Sequence, residues 1–386
     1  MDSAIIKLIP VLLAMYVTWF TIGIYALFFQ LYVYYIIGLS NLFIGILTST
    51  YFGFNAFSSI TSGYLVDRYG LARLILLISV LILGLSSIAT PLYHDGGYLL
   101  LIRIIQGLAV GAIIPIANLI SASLIGPGRG IGIVNTFGSM GFASAGIIGG
   151  LSVELVSYGE LFIYTGIVTI IPAITLILQG GGAYSTVENI GIRLRDIFSL
   201  PKSVWIIYLT FFLRFMAAGG VWTLFSLFLY TLGANDFMVG LAHSINTITQ
   251  VLIFHRVSIL SEGRGLTVYK IGLLLTALTF IGYFLSPNIY YIFPLQVLIA
   301  FSWVALYAGA NVFIIENVSE GFRGTALGAL NMFTSFSWIA GSLINGYISD
   351  VAGSYKTYIL ISIGILLVGY LIVEVYQRYL YYGEGG

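Results

Sequence analysis

Twelve apolar runs, most of about twenty residues or more, follow one another along the 386-residue chain, and charged residues fall almost entirely in the breaks between them. An α-helix needs roughly 20 apolar residues to cross the hydrocarbon core of a bilayer. The runs lie at about 8–36, 42–66, 72–91, 97–125, 130–154 and 160–179, then at about 203–232, 237–258, 267–286, 288–315, 324–349 and 355–377. Charged residues make up 8 % of the chain, where a soluble domain carries roughly 25 %. A water-soluble fold of this size leaves too many positions facing solvent to hide the remainder. The runs are continuous rather than alternating, so the spans are helical and not the strands of a membrane β-barrel. Cysteine is absent, which excludes a disulfide framework and a thiolate-bound metal. A net charge of +1 gives no electrostatic footprint for nucleic acid. The opening Met-Asp-Ser-Ala passes straight into the first run without a small-residue cleavage site, so that run is expected to be retained as a span.

The basic residues set an orientation. If both termini and the even-numbered junctions share one side, that side holds Lys7, Arg68, Arg73, Arg129, Arg193, Arg195, Lys202, Arg256, Arg264, Lys270, Arg323 and Arg378. The opposite side holds only Lys356. Positive charge marks cytoplasmic loops, so both termini are expected in the cytoplasm, and the chain in the plasma membrane.

The two halves repeat at an offset of about 195 residues. Gly38-Leu-Ser-Asn-Leu-Phe-Ile-Gly45 after span 1 matches Gly233-Ala-Asn-Asp-Phe-Met-Val-Gly240 after span 7. Leu65-Val-Asp67-Arg68-Tyr-Gly70-Leu71 matches Leu260-Ser-Glu262-Gly-Arg-Gly265-Leu266. At an offset of 196, Asn135 pairs with Asn331, Gly150 with Gly346 and Glu154 with Asp350. The polar, Gly-rich stretch 180–202 separates the halves. The expected organisation is a six-helix bundle at 1–179, a cytoplasmic linker at 180–202 and a second six-helix bundle at 203–386. Such repeats are characteristic of transporters whose solute site lies between halves that rock against each other.

Three local motifs sharpen this. Gly63-Tyr-Leu-Val-Asp67-Arg68-Tyr-Gly70-Leu-Ala-Arg73 follows span 2, with Leu71 and Ala72 ahead of Arg73. Span 4 carries Arg103-Ile-Ile-Gln106-Gly107, and span 5 carries Gly141-Phe-Ala-Ser-Ala145-Gly146-Ile-Ile-Gly149-Gly150. These resemble the loop 2–3, helix 4 and helix 5 signatures of the major facilitator superfamily. The loop departs from the family pattern where a basic pair is usual, and span 5 has Ala145-Gly146 where Gly-Pro is usual. The resemblance implies an all-α integral membrane fold of about 12 transmembrane helices in two pseudo-symmetric six-helix bundles. It also implies secondary transport by alternating access. Gating on the cytoplasmic side would fall to Gly63, Asp67, Arg68, Gly70 and Arg73, with Glu262 and Gly265 in the degenerate second copy. Gly107, Gly141, Gly146, Gly149 and Gly150 are small residues at spacings that allow close helix packing.

Charged side chains at membrane depth are expensive and mark function by default. Arg214 lies twelve residues from Lys202 and nineteen from Gly233, near the midplane of span 7, where a guanidinium can hold a carboxylate or phosphate bidentately. Its repeat partner in span 1 is Trp19. Arg103 lies about six residues, or roughly 9 Å, into span 4. His243, Asn246 and Gln250 share one face of span 8, and their counterparts Thr48, Tyr51 and Asn55 share one face of span 2. The candidate solute-binding set is Arg214, Arg103, His243, Asn246, Gln250, Tyr51, Asn55, Trp19, Gln30 and Asn331. Asn118, Asn135, Gln296 and Asn311 are further polar candidates, and Tyr25, Trp222 and Trp338 further aromatic ones. Against each stands a structural reading: an arginine held by backbone carbonyls, or amides that bond helix to helix.

No Asp or Glu falls mid-span, and of the side chains at membrane depth only His243 titrates near neutral pH. Two deep arginines without a deep acid favour a small organic anion or similar metabolite, coupled to protons or to a counter-solute. A second transport reading is an antiporter exporting amphipathic compounds, towards which the span 5 motif leans, and a third is transport of a sugar or neutral metabolite. A transporter-shaped sensor stays open. A membrane enzyme or a channel would require a catalytic cluster or a filter, and His94, His243 and His255 fall at different depths. The expected partners are a small solute and the lipid bilayer, with no cofactor, no metal and no nucleic acid, and the chain is expected to act as a monomer.

Overall fold

The computed structural model describes residues 3–178, 200–319 and 323–383, and all regular structure among them is helical. The N-terminal set is α1 (Ser3–Ile24), α2 (Asn41–Tyr69), α3 (Ala72–Ala89), α4 (Gly96–Ile125), α5 (Pro127–Val153) and α6 (Tyr158–Leu178). The C-terminal set is α7 (Lys202–Thr223), its short continuation α8 (Phe225–Thr231), α9 (Asp236–Ser261), α10 (Gly265–Leu285), α11 (Ile292–Asn317), α12 (Arg323–Ala352) and α13 (Tyr355–Gly383). The expected linker lies outside the described residues except for 200–202. Arg193 and Arg195 fall outside them as well.

Among the described residues, eleven helices are long and apolar enough to cross a membrane. α2 has the length but not the hydropathy, because it carries Thr48, Ser49, Thr50, Asn55, Ser58, Ser59, Thr61 and Ser62. Its hydroxyls are used inside the bundle. Ser58 donates to the Leu108 carbonyl at 2.6 Å and Ser59 to the Gly111 carbonyl at 2.9 Å, both on α4. A hydroxyl bonded across a helix pair carries no unmet polar group into lipid, so α2 fits a span despite its composition.

The first helix of each set is irregular in its second half. Beyond α1, Tyr25–Phe29 and Tyr32–Ile37 are wound as π-helix, and α7 breaks at Leu224 before α8. Both segments end on a left-handed glycine, Gly38 at φ +79° and Gly233 at φ +84°, 195 residues apart. Nothing crowds either position, so only the backbone conformation requires glycine there. Gly38→Ala and Gly233→Ala are each expected to cost about 1 kcal/mol, read as a lower melting temperature of the detergent-purified protein.

The repeat recurs in the packing. A Cβ on Gly141 of α5 would collide with the Tyr16 carbonyl of α1, and one on Gly341 of α12 would collide with the Met216 carbonyl of α7. Both members shift by the same 200 residues. Each third helix is also tied to the last turns of the sixth. Arg73 donates to the Leu176 carbonyl of α6, one of the end carbonyls a helix leaves unpaired. Lys270 bonds Glu374 and, at 2.7 Å, Gln377 of α13, and Glu374 also pairs with Arg378 at 3.0 Å. Gly70 and Gly265, paired in the sequence repeat, differ in backbone conformation: the left-handed glycine after α9 is Gly263, at φ +65°. Gly265 opens α10, where a Cβ would come within 2.7 Å of the Phe313 nitrogen.

By contacts the chain forms two compact units: Met1–Ile190 with Asn235–Ser244, and Gly191–Ala234 with Ile245–Gly386. The first third of α9 therefore belongs to the first unit.

Candidate functional site

Arg214 lies twelve residues into α7, about 18 Å along the helix axis, and is 2 % exposed. Its guanidinium carbon stands 4.4 Å from the centre of the Phe215 ring. Nε and Nη2 are buried and have no hydrogen-bond partner. The Tyr269 side chain of α10 is near enough to interact electrostatically, but its hydroxyl already meets Thr210 Oγ1 at 3.0 Å. Glu374 of α13 pairs with Lys270 and Arg378, all remote from Arg214 in sequence and on other helices. An ionised group held this way pays most of its dehydration penalty, several kcal/mol, without a matching Coulomb gain. An oxyanion docked on Nε and Nη2 would form the bidentate pair that restores the balance.

In the first unit, Arg103 of α4 is 7 % exposed and ringed by aromatics. Its guanidinium carbon lies 4.3 Å from the Tyr51 ring, 5.0 Å from Phe29 and 5.8 Å from Tyr25. Nη1 donates to Gln106 Oε1 at 3.0 Å, one turn along the same helix. Tyr25 is itself anchored to Thr90 Oγ1 at 2.6 Å. Three candidates, Arg103, Tyr51 and Tyr25, are thus brought together. Phe29 and Gln106 join them without having been singled out as site residues, although Gln106 at i+3 from Arg103 was the available signal.

The polar face of α9 is divided. Gln250 Nε2 donates to Asn246 Oδ1. Asn246 Nδ2 donates to Gln296 Oε1 of α11 at 3.2 Å, and Gln296 Nε2 to the Tyr283 hydroxyl of α10 at 3.0 Å. This chain joins three helices of the second unit, and its amides are largely committed to one another. Gln296→Leu strands both Asn246 and Tyr283, at about 1–3 kcal/mol for each unmet group. A fall in melting temperature without any change in solute selectivity is the expected readout. His243 is buried on the part of α9 that belongs to the first unit. Its neighbour Ser244 donates to the Ala143 carbonyl of α5 at 3.1 Å.

The remaining candidates are dispersed. Gln30 is buried, with Nε2 on the Ala26 carbonyl at 2.8 Å. Trp19 is half-buried against Gly138 and edge-on to Phe142, and Asn55 is half-buried on α2. Asn331 is exposed on α12. Asn135 donates to Asn118 at 2.9 Å, joining α5 to α4, and Asn311 bonds the Tyr307 carbonyl of its own helix. Trp222 packs on Phe225, and Trp338 on Gly219.

At the α2–α3 turn, Gly70 takes φ +66° and donates to the Val66 carbonyl at 2.8 Å. Arg68 is exposed between the Tyr64 and Tyr69 rings. The side chain of Asp67 lies outside the described residues. At Gly63 a Cβ would meet nothing within 4 Å among the described residues. Glu262 is exposed. Its turn is held instead by Glu316 of α11, whose Oε1 accepts from the Gly263 nitrogen at 2.8 Å. Nothing in the sequence pairs Glu316 with that turn, because the contact spans 53 residues.

The packing glycines sit at close helix contacts, most of them against backbone. A Cβ on Gly107 would lie 2.5 Å from the Tyr51 carbonyl, one on Gly149 2.6 Å from Phe28, and one on Gly146 2.6 Å from the Gly240 carbonyl. On Gly150 it would lie 3.1 Å from the Phe237 Cα.

Comparison with known proteins matches residues 11–180 and 207–380 to the model of the Major Facilitator Superfamily. No curated protein sequence matches the chain. Among solved structures, the nucleoside transporter NupG superposes with a TM-score of 0.85 at 15 % identity, covering 96 % of this chain and 99 % of NupG. A bacterial homologue of the human lysosomal transporter Spinster, inward-facing and occupied, gives 0.80 at 16 % identity, with 96 % of each chain covered. The human organic anion transporter MFSD10 gives 0.64 at 14 % identity, covering 97 % of this chain and all of its own. At these identities the likeness is one of fold.

Proposed function

The chain belongs to the Major Facilitator Superfamily, a multi-pass membrane transporter and not an enzyme, and from that premise we propose that its solute is a small organic anion bound at Arg214. The observation that carries this reading is the burial of Arg214 at mid-span with Nε and Nη2 unpartnered. The fold does not choose the solute, since structural neighbours with the same architecture bear the names of nucleoside and organic-anion transporters. The choice falls to the side chains of the site. A deep cation without a deep acid repels lipophilic cations and attracts carboxylates and phosphate esters.

Transport proceeds by alternating access, with the turns at Gly70 and Gly263 on the cytoplasmic side together with both termini. The distribution of basic residues supports that orientation. No Asp or Glu lies mid-span, so a coupled proton would travel on the solute itself or on His243.

The test is uptake into proteoliposomes of radiolabelled small carboxylates and phosphate esters, with tetraphenylphosphonium as the cationic comparator. Saturable uptake of one anion class, lost in Arg214→Gln, is the expected result. Tetraphenylphosphonium flux without anion flux, unchanged in Arg214→Gln, would overturn the reading in favour of amphipathic-compound efflux.

A further inference from the structure

Besides the aromatic side chains that surround it, Arg103 has an unsatisfied donor. Its Nε is buried without a hydrogen-bond partner, and so is Nε2 of Gln106, which is 1 % exposed. Nη1 of Arg103 holds Gln106 Oε1 at 3.0 Å, and this bond fixes the amide so that its NH2 is the end left unsatisfied. That NH2 approaches the Tyr25 hydroxyl without reaching hydrogen-bond geometry. The hydroxyl itself is engaged by Thr90. One turn of α4 therefore presents two unused donors, one of them part of a cation, beside the rings of Tyr25, Phe29 and Tyr51.

Aromatic faces stabilise the guanidinium charge but accept nothing from its in-plane Nε–H. A buried donor without an acceptor costs about 1–3 kcal/mol, and here two stand together. Their common need is an acceptor that offers adjacent oxygens. A carboxylate has that form, and its body would lie against aromatic rings rather than water.

We propose that the Arg103–Gln106 turn of α4 is a carboxylate-binding site of the first unit, selective for carboxylates with an aromatic or apolar body. It is distinct from Arg214 and does not depend on the reading given for that residue. The cation and the oriented amide bind the two carboxylate oxygens through Nε and Nε2. Tyr51, Phe29 and Tyr25 flank the body of the solute.

Benzoate is the probe, with benzyl alcohol as its uncharged counterpart, titrated calorimetrically into the full-length protein in detergent. Gln106→Glu keeps an acceptor for Arg103 Nη1 but replaces the amide donor by a carboxylate. Arg103→Lys keeps the charge among the rings and removes Nε. Each is expected to weaken benzoate binding tenfold or more, the effect of one charge-assisted hydrogen bond, while benzyl alcohol binds poorly to all forms. A folded Gln106→Glu protein with the wild-type benzoate isotherm would overturn the proposal, as would benzyl alcohol binding as tightly as benzoate. If Gln106→Glu does not fold, Arg103→Lys decides by the same isotherm. Arg214→Gln run in parallel separates the two readings. Benzoate binding that survives Arg214→Gln but falls in the α4 variants supports this site alone. Loss in Arg214→Gln with none in the α4 variants overturns this site and leaves Arg214 as the anion site.

Discussion

Arg214→Leu is expected to make the protein more stable and unable to transport. Arg214 is 2 % exposed, and two of its guanidinium nitrogens have no partner. A leucine is shorter than an arginine, but it is apolar beside Phe215 and removes the dehydrated charge. Replacing buried charged groups by well-packed apolar ones stabilises by about 1–4 kcal/mol, and among the described residues no acidic side chain pairs with Arg214 to offset the gain. The melting temperature should therefore rise by several degrees. Uptake should fall by about a hundredfold or more, because a bidentate charged contact is lost. A structural arginine predicts the reverse in stability: its removal would leave backbone acceptors unmet and lower the melting temperature. The opposite signs make thermal unfolding and uptake, measured on the same preparation, a decisive pair.

The second large effect is steric. Gly141→Ala places a methyl group on the Tyr16 carbonyl and 3.1 Å from the Phe20 nitrogen. Both obstacles are backbone, so the strain is relieved only by separating α1 from α5 along the whole crossing. A cost of about 3 kcal/mol is expected, seen as loss of the monodisperse peak in size-exclusion chromatography. The same change at Gly364 of α13, where a Cβ meets nothing within 4 Å, should stabilise by about 0.5–1 kcal/mol, because alanine is the better helix former. One chemical change with opposite outcomes at two glycines separates packing from propensity. Equal effects at the two positions would contradict the α1–α5 contact.

Much of the fold is legible in the sequence because lipid imposes one dominant rule: every span must be long, apolar and helical. The apolar runs and the helices accordingly agree to within a few residues at most ends, as for α3 and α6. α2 is less apolar than the rule asks, since Ser58 and Ser59 bond to α4 carbonyls instead of facing lipid. The π-helical turns at 25–37 and the break at Leu224 leave no mark on hydropathy, which registers composition and not winding. Gly38 and Gly233 were visible as a repeat, and their left-handed backbone gives it a physical cause.

The site was legible only in part, for a related reason. Arg103 and Arg214 stand out because charge at depth is rare. With 28 Tyr and 26 Phe in the chain, nothing in the sequence could select Tyr51 and Phe29 as the rings around Arg103. Amides posed a different difficulty. Asn246, Gln250 and Gln296 have the right depth and face, yet they bond one another and Tyr283. Whether a deep amide awaits a solute or holds its neighbour depends on which helix lies opposite, and spacing along one helix does not carry that information.

The account rests most heavily on an anion bound at Arg214, and ligand-dependent thermal unfolding tests it most directly. Detergent-purified wild type and Arg214→Gln are melted against rising succinate, citrate, glucose 6-phosphate and tetraphenylphosphonium. A ligand at 100 times its dissociation constant stabilises by about 2.7 kcal/mol. The account predicts such a shift for at least one anion with wild type and none for that anion with Arg214→Gln. Equal shifts in the two proteins, or a shift with tetraphenylphosphonium alone, would contradict it.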